Sequence, residues 1–184
     1  MDMTGEERIA ASREAVWAAL NDVEVLKQCI PGCESLEKTS DTDMAAKVKL
    51  KIGPVSASFS GKVTLSEIDP PNGYRISGEG AGGAAGYAKG GALVRLADDG
   101  EGGTVLTYEA KADVGGKLAQ LGGRLIDATA RKLAGEFFSK FGAIVGPAPA
   151  GEETAAQDEP AEKKPGVLGR WFSKKKDASE GDAG

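Results

Sequence analysis

Chemistry near neutral pH leans heavily on imidazole, and this sequence of 184 residues contains no histidine. That excludes a Ser-His-Asp triad, a Cys-His nucleophile pair, histidine metal ligands and an imidazole general base. The two cysteines fall in Cys29-Ile30-Pro31-Gly32-Cys33. Two thiolates alone leave a zinc site half-ligated, and three intervening residues depart from the Cys-x-x-Cys spacing of metal and redox motifs. They read as structural thiols beside a turn, with no metal site expected. Gly78-x-Gly80-x-x-Gly83 has the form of a dinucleotide fingerprint, but the pattern around it is that of a strand, with no helix following. Gly115-Gly116-Lys117 lacks the upstream glycine of a phosphate loop. Asp and Glu are spread over turns and alternating polar positions without forming an acid/base couple. Tyr74, Tyr87 and Tyr108 remain as the groups a cyclase-like or hydrolase-like enzyme would use. The balance favours a binding protein with no catalytic residue.

The residues that do point to a site are the small ones. Tyr74 to Leu96 reads YRISGEGAGGAAGYAKGGALVRL. If Tyr74 and Ile76 face inward, so do Gly78, Gly80 and Gly82. On the returning strand, Val94 and Leu96 place Ala92, Gly90, Ala88 and Gly86 on the same face. Two neighbouring strands thus offer almost no side-chain volume to the core at one end. Each strand glycine costs about 0.5–1 kcal/mol in backbone entropy. Interiors are close-packed, so the missing volume implies a close helix, a sharp bend or a ligand. Two readings follow: glycines that let a curved sheet bend, or a cavity facing Leu118, Leu121 and Leu125, with Gly122 thinning the opposing segment.

Those positions need elements to hold them. Ser12 can cap a short helix through Leu20, and Asn21 with Glu24 offers a capping box for a second, carrying Val23, Leu26 and Ile30. Pro31-Gly32 ends it. From Met44 to Ile68 the period is two: Val48, Leu50 and Ile52 alternate with lysines, and Val55, Ala57, Phe59, Gly61, Val63 and Leu65 with Ser, Lys and Thr. Leu106, Tyr108, Ala110 and Ala112 continue the pattern in the last strand. Such alternation means antiparallel strands with one wet face. Val114 to Val145 has helical spacing in two stripes, Leu118/Leu121/Leu125 and Ile126/Leu133/Phe137/Phe141/Ile144, with Gly122-Gly123 at the handover. The expected fold is α+β: a curved antiparallel sheet wrapped round a long C-terminal helix, with two short helices after the first strand and an apolar cavity between sheet and helix.

A domain of residues 1–146 is followed by an abrupt change of composition. Residues 147–162, rich in Ala, Glu, Pro and Gly, read as a disordered linker. Residues 163–184 read as a basic-amphipathic membrane anchor. Val167, Leu168, Trp171 and Phe172 have i,i+3/i+4 spacing, and Arg170, Lys174, Lys175 and Lys176 join Lys163 and Lys164 in a local +6. Trp and Phe suit the bilayer interface, and each cation near anionic lipid contributes about 1 kcal/mol. A solvated charge run or a partner-docking helix are the other readings. A formal net charge of −5 argues against a nucleic-acid partner. No apolar run approaches the ~20 residues of a membrane span. Two cysteines and no signal-peptide pattern make the cytoplasm the expected compartment.

The strings Trp17-Ala18-Ala19-Leu20-Asn21, Ile30-Pro31-Gly32-Cys33, Lys51-Ile52-Gly53-Pro54-Val55, Gly82-Gly83-Ala84-Ala85-Gly86, Gly115-Gly116-Lys117-Leu118-Ala119-Gln120-Leu121-Gly122, Arg124-Leu125-Ile126 and Phe137-Phe138 follow in order. Together they resemble the CoxG family of carbon monoxide dehydrogenase, part of the START-like (SRPBCC) helix-grip superfamily. Ala10-Ala11-Ser12 departs from the proline that relatives often carry before the first helix. The resemblance implies an accessory protein of aerobic, molybdenum-containing carbon monoxide dehydrogenase or a related molybdenum hydroxylase. It would sit peripherally on the inner face of the cytoplasmic membrane and link the enzyme to the respiratory chain. Membrane lipid and an isoprenoid quinone, menaquinone or ubiquinone, are then the implied partners. The expected ligand-binding residues are Phe59, Val63, Tyr74, Ile76, Tyr108, Leu118, Leu121 and Leu125, with Gly78, Gly82, Ala88 and Gly122 giving room. A structural adaptor without ligand, a lipid carrier and a START-like enzyme are the alternatives.

Overall fold

The structure, a computed structural model, describes residues 1–146, which form the compact unit Met1–Gly146. The linker and membrane-anchor expectations for residues 147–184 lie outside the described residues.

The chain opens with β1 (Asp2–Ile9), then α1 (Arg13–Leu20) and α2 (Val23–Cys29). A run of strands follows: β2 (Cys33–Lys38), β3 (Asp43–Ile52), β4 (Val55–Asp69), β5 (Gly73–Ala81), a first 3-10 turn at Gly83–Ala85, then β6 (Tyr87–Asp98). After β7 (Thr104–Gly115) come a second 3-10 turn (Gly116–Leu121) and α3 (Gly123–Val145). All neighbours are antiparallel, in the order β1-β7-β6-β5-β4-β3-β2. The curved sheet grips α3, which lies against α1, α2, β1 and β3. Alternation of half-buried and exposed residues along β4 as far as Leu65 is what one wet face demands; beyond it the register shifts and Ile68, expected to continue the period, is exposed.

Local chemistry sets the boundaries. Ser12 caps α1, its Oγ accepting from the Ala15 N–H at 3.1 Å. The cap of α2 is Asp22 rather than Asn21: its carboxylate accepts from the N–H groups of Glu24 and Val25. Asn21 closes α1 instead, its Nδ2 donating to the Trp17 carbonyl at 2.9 Å. Strand β2, absent from the sequence expectation, pairs with β3 through an irregularity at Cys33/Ser35. The helix expected from Val114 starts only at Gly123, because β7 runs on to Gly115 and Gly122 turns the backbone at φ 93°. Ile144, placed on the inner stripe by periodicity, is exposed, and Phe141 is the fully buried residue of that stripe.

The interior is uneven. At the end where β1 runs into α1, the core is better filled: Val16, Cys29, Leu106 and Phe141 are at most 1% exposed. Phe137 and Phe138 meet edge to face there, and Phe137 stacks on Phe141 at 5.7 Å. Thr104, wholly buried, donates its hydroxyl to the Ala11 carbonyl at 2.7 Å and ties β7 to the start of α1. The other end is hollow.

Candidate functional site: an apolar cavity at the hollow end

A cavity of about 540 Å³ lies under the inward faces of β3 to β7. Its small wall comes from Gly78 and Gly80 of β5, Ala88, Gly90 and Ala92 of β6, and Ala110 and Ala112 of β7. The large wall comes from Val48, Leu50, Ile52, Phe59, Val63 and Ile76, with Ile30 and Pro31 after α2. Leu118 from the second 3-10 turn and Leu133 from α3 face them across the space. Lys62, Glu79, Lys89 and Lys111 also border it, though they occupy the exposed, outward positions of their strands. A second, smaller chamber of about 250 Å³ lies within the better-filled end, among Leu36, Leu65, Tyr74, Leu106, Phe137 and Phe138. Ile30, Ala46, Val63 and Ile76 line both chambers and form the collar between them.

The glycines divide into two kinds. A Cβ on Gly90 would collide with the Lys111 carbonyl oxygen, and one on Gly61 would stand 2.5 Å from that of Glu79. Those glycines are required by close strand approach, which is the bending reading. At Gly80 the nearest atom would be the Ser60 carbonyl oxygen at 3.6 Å, an ordinary contact, so there the missing side chain leaves usable space. Gly78 is intermediate, with 3.1 Å to the Lys62 carbonyl oxygen. The sheet coils because of some glycines and is hollow because of others.

Of the residues expected at the site, Phe59, Val63, Ile76, Gly78, Ala88 and Leu118 converge on the larger cavity. Tyr74 lines the smaller chamber instead. It is 5% exposed, its hydroxyl donates to the Leu20 carbonyl at 3.4 Å, and burial pushes its pKa up to about 12. Tyr108 lies over Gly5 of β1 and stacks on Phe138 at 5.6 Å; burial raises its pKa, with Glu7 adding to the shift. Neither cavity is lined by Tyr108, Gly82, Leu121, Gly122 or Leu125. Gly82 is taken up by the Phe59 ring, which a Cβ would meet at 2.6 Å. Leu121 precedes the Gly122 turn, where an added Cβ would meet nothing within 4 Å, and Leu125 reaches across to the β3–β4 turn at Gly53. The residues missed by the sequence expectation are chiefly Ala110 and Ala112. Their signal was present: β7 continues the inward run of small residues for a third strand.

The tyrosines do not form a reactive cluster. Tyr87 sits on the outer face, 52% exposed, while Tyr74 and Tyr108 are held in separate apolar settings. Cys29 is fully buried and Cys33 half-buried, and burial raises both thiol pKa values. Among the described residues, no group of His, Cys, Asp or Glu is arranged to hold a metal ion. None of the described helices is long and apolar enough to cross a membrane.

The family model for CoxG, a carbon monoxide dehydrogenase subunit, matches residues 5–146. A crystal structure of a conserved protein from Geobacillus kaustophilus is similar at 30% identity, over 79% of this chain and 95% of that one, with a TM-score of 0.75. A START superfamily protein from Mycobacterium smegmatis shares the fold at 15% identity, covering 78% of this chain and 96% of its own (TM-score 0.59). So does the Zhui aromatase/cyclase from Streptomyces sp. R1128, at 13% identity and TM-score 0.56, over 80% of this chain and 94% of its own. Comparison with curated proteins returns no match.

Proposed function

The chain belongs to the CoxG family of carbon monoxide dehydrogenase, and from that premise we propose that it binds an isoprenoid quinone for a molybdenum-containing carbon monoxide dehydrogenase or related hydroxylase. The observation that carries this reading is the apolar cavity at the hollow end, walled on three adjacent strands by glycine and alanine. A flat ring needs a slot without side chains, and a chamber of this volume is within the usual range for small-molecule sites. The collar and second chamber extend the space in the direction a prenyl tail requires. The protein acts as a carrier, not a catalyst: no imidazole exists in the chain, and its tyrosines stand apart. It works at the inner face of the cytoplasmic membrane, with Val167, Leu168, Arg170, Trp171, Phe172 and Lys174 to Lys176 as the attachment segment. There it links the dehydrogenase to the respiratory chain.

The test is native mass spectrometry of the full chain after exposure to menaquinone or ubiquinone in detergent. The unaltered protein should retain one quinone. Gly80→Leu and Ala92→Leu, which fill the small wall, should retain none while unfolding at a similar temperature. Gly82→Leu and Gly122→Leu would serve less well, since neither glycine lines the cavity and the first would act only by displacing the Phe59 ring. Failure of the unaltered protein to hold quinone, or unchanged retention by Gly80→Leu, would leave a ligand-free adaptor as the better reading.

A further inference from the structure

Four segments form the hollow end of the domain: residues 30–35 between α2 and β2, 47–60 around the β3–β4 turn, 80–88 around the first 3-10 turn, and 114–124 around the second. They carry Lys47, Lys49, Lys51, Lys117 and Arg124 against a single acid, Glu34. All five cations are exposed, and among the described residues none pairs with a carboxylate. The opposite end is the reverse. Residues 38–43, 67–72 and 98–103 hold seven acidic side chains against Lys38 alone. Arg75 and Arg13 offset only two of them, Glu67 and Asp98.

This surplus is confined to the end. One row further along the outer sheet face, Lys62, Glu79, Lys89 and Asp113 stand opposite one another on four successive strands, so that each charge meets its opposite. Cross-strand pairing of that kind neutralises the face. At the hollow end the cations stay in excess: on the β4 side Lys47, Lys49 and Lys51 stand opposite Ser60, Ser58 and Ser56, and on the β2 side they have only Glu34 nearby. Between the cations the surface is small and apolar, with Ala81 and Ala84 exposed and Tyr87 beside them.

We propose that the hollow end is a docking face for an anionic lipid bilayer, oriented by the opposed charges of the domain's two ends. This rests on reading the cavity as the site of a membrane-soluble ligand, which must enter from lipid. Lysines on flexible stems meet phosphates as point charges without fixed geometry, whereas protein interfaces centre on buried aromatic or arginine anchors in pockets. Four of the five cations here are lysines, and Tyr87 and Arg124 are exposed rather than seated in pockets, so the face has the first character. Tyr87 stands at the level where an amphipathic ring meets the headgroups.

The test uses the full chain with Cys33→Ser and a polarity-sensitive dye on a single new cysteine, Ala84→Cys at the hollow end or Glu101→Cys at the other. Vesicles of phosphatidylcholine with phosphatidylglycerol should shift the Ala84 dye to the blue and leave the Glu101 dye unmoved. Pure phosphatidylcholine should move neither, and high salt should abolish the shift without any mutation. Lys49→Glu, Lys51→Glu and Lys117→Glu together should remove it. The same charge change made elsewhere, Lys38→Glu, Lys132→Glu and Lys140→Glu, should not. No shift at Ala84, equal shifts at both dyes, or indifference to the first triple variant would overturn the proposal. So would a shift produced only by the purified dehydrogenase, which would assign the face to the enzyme. Quinone retention, scored separately by mass, tells failure of docking from failure of the quinone reading.

Discussion

Tyr74 shows how much one side chain can report. Its ring lies 5.2 Å from that of Trp17, and its hydroxyl has only the Leu20 carbonyl for company. Burial disfavours the phenolate, raising the pKa from 10.0 to about 12. An acid whose folded-state pKa is raised contributes stability that is complete below its unfolded pKa. That contribution is lost as pH rises from about 10 to 12, because the unfolded chain releases the proton first. The expected slope is about 1.4 kcal/mol per pH unit across that window. Urea unfolding at about pH 10 and about pH 11 should show the loss, and Tyr74→Phe should reduce it, leaving the part due to Tyr108, whose pKa burial also raises. An unchanged slope in the variant would mean that Tyr74 is not the group titrating. At the same scale, the sequence treats every inward glycine alike. What distinguishes Gly80 from Gly90 is the distance to a neighbouring strand's carbonyl, 3.6 Å at the first and an outright clash at the second, and no single-strand pattern encodes it.

At the scale of elements, the strands were legible because a period of two over ten or more residues admits one interpretation. The approach to α3 was not. Leu118 and Leu121 are three apart, and that spacing fits one face of an α-helix and the eclipsed face of a 3-10 turn equally well. The backbone decides: Gly116 at φ 76° and Gly122 at φ 93° bracket the turn, so the leucines belong to a separate piece that caps the cavity. Asn21 and Asp22 posed a similar choice between adjacent capping residues, settled only by which carboxyl or amide reaches a free N–H. Helix α3 thus has one half in the better-filled core and one beside the larger cavity. Phe141→Ala, in the first, should cost about 3–5 kcal/mol by leaving a void. Leu133→Ala, half-buried beside existing space, should cost roughly 1 kcal/mol. Thermal unfolding of both variants checks the asymmetry, and equal losses would contradict it.

The whole domain is a container with a better-filled base, and the two ends differ in filling and in charge alike. Composition located the change at residue 147, and small inward residues located the hollow end. The opposed charges were hidden because β3, the first 3-10 turn and the second are far apart in sequence and meet only through the strand order. The same chambers bear on how the domain answers to pressure. Unfolding eliminates internal voids, and for ordinary proteins this gives a volume change of about −20 to −100 mL/mol. Two chambers of about 540 and 250 Å³ place the ligand-free chain toward the strongly negative side of that range. Under hydrostatic pressure it should therefore unfold early, followed through Trp17 in a Trp171→Phe background. Once a ligand takes up the space, the volume change should shrink and the midpoint pressure rise. A midpoint that ignores the ligand would mean the chambers were never the space that ligand fills.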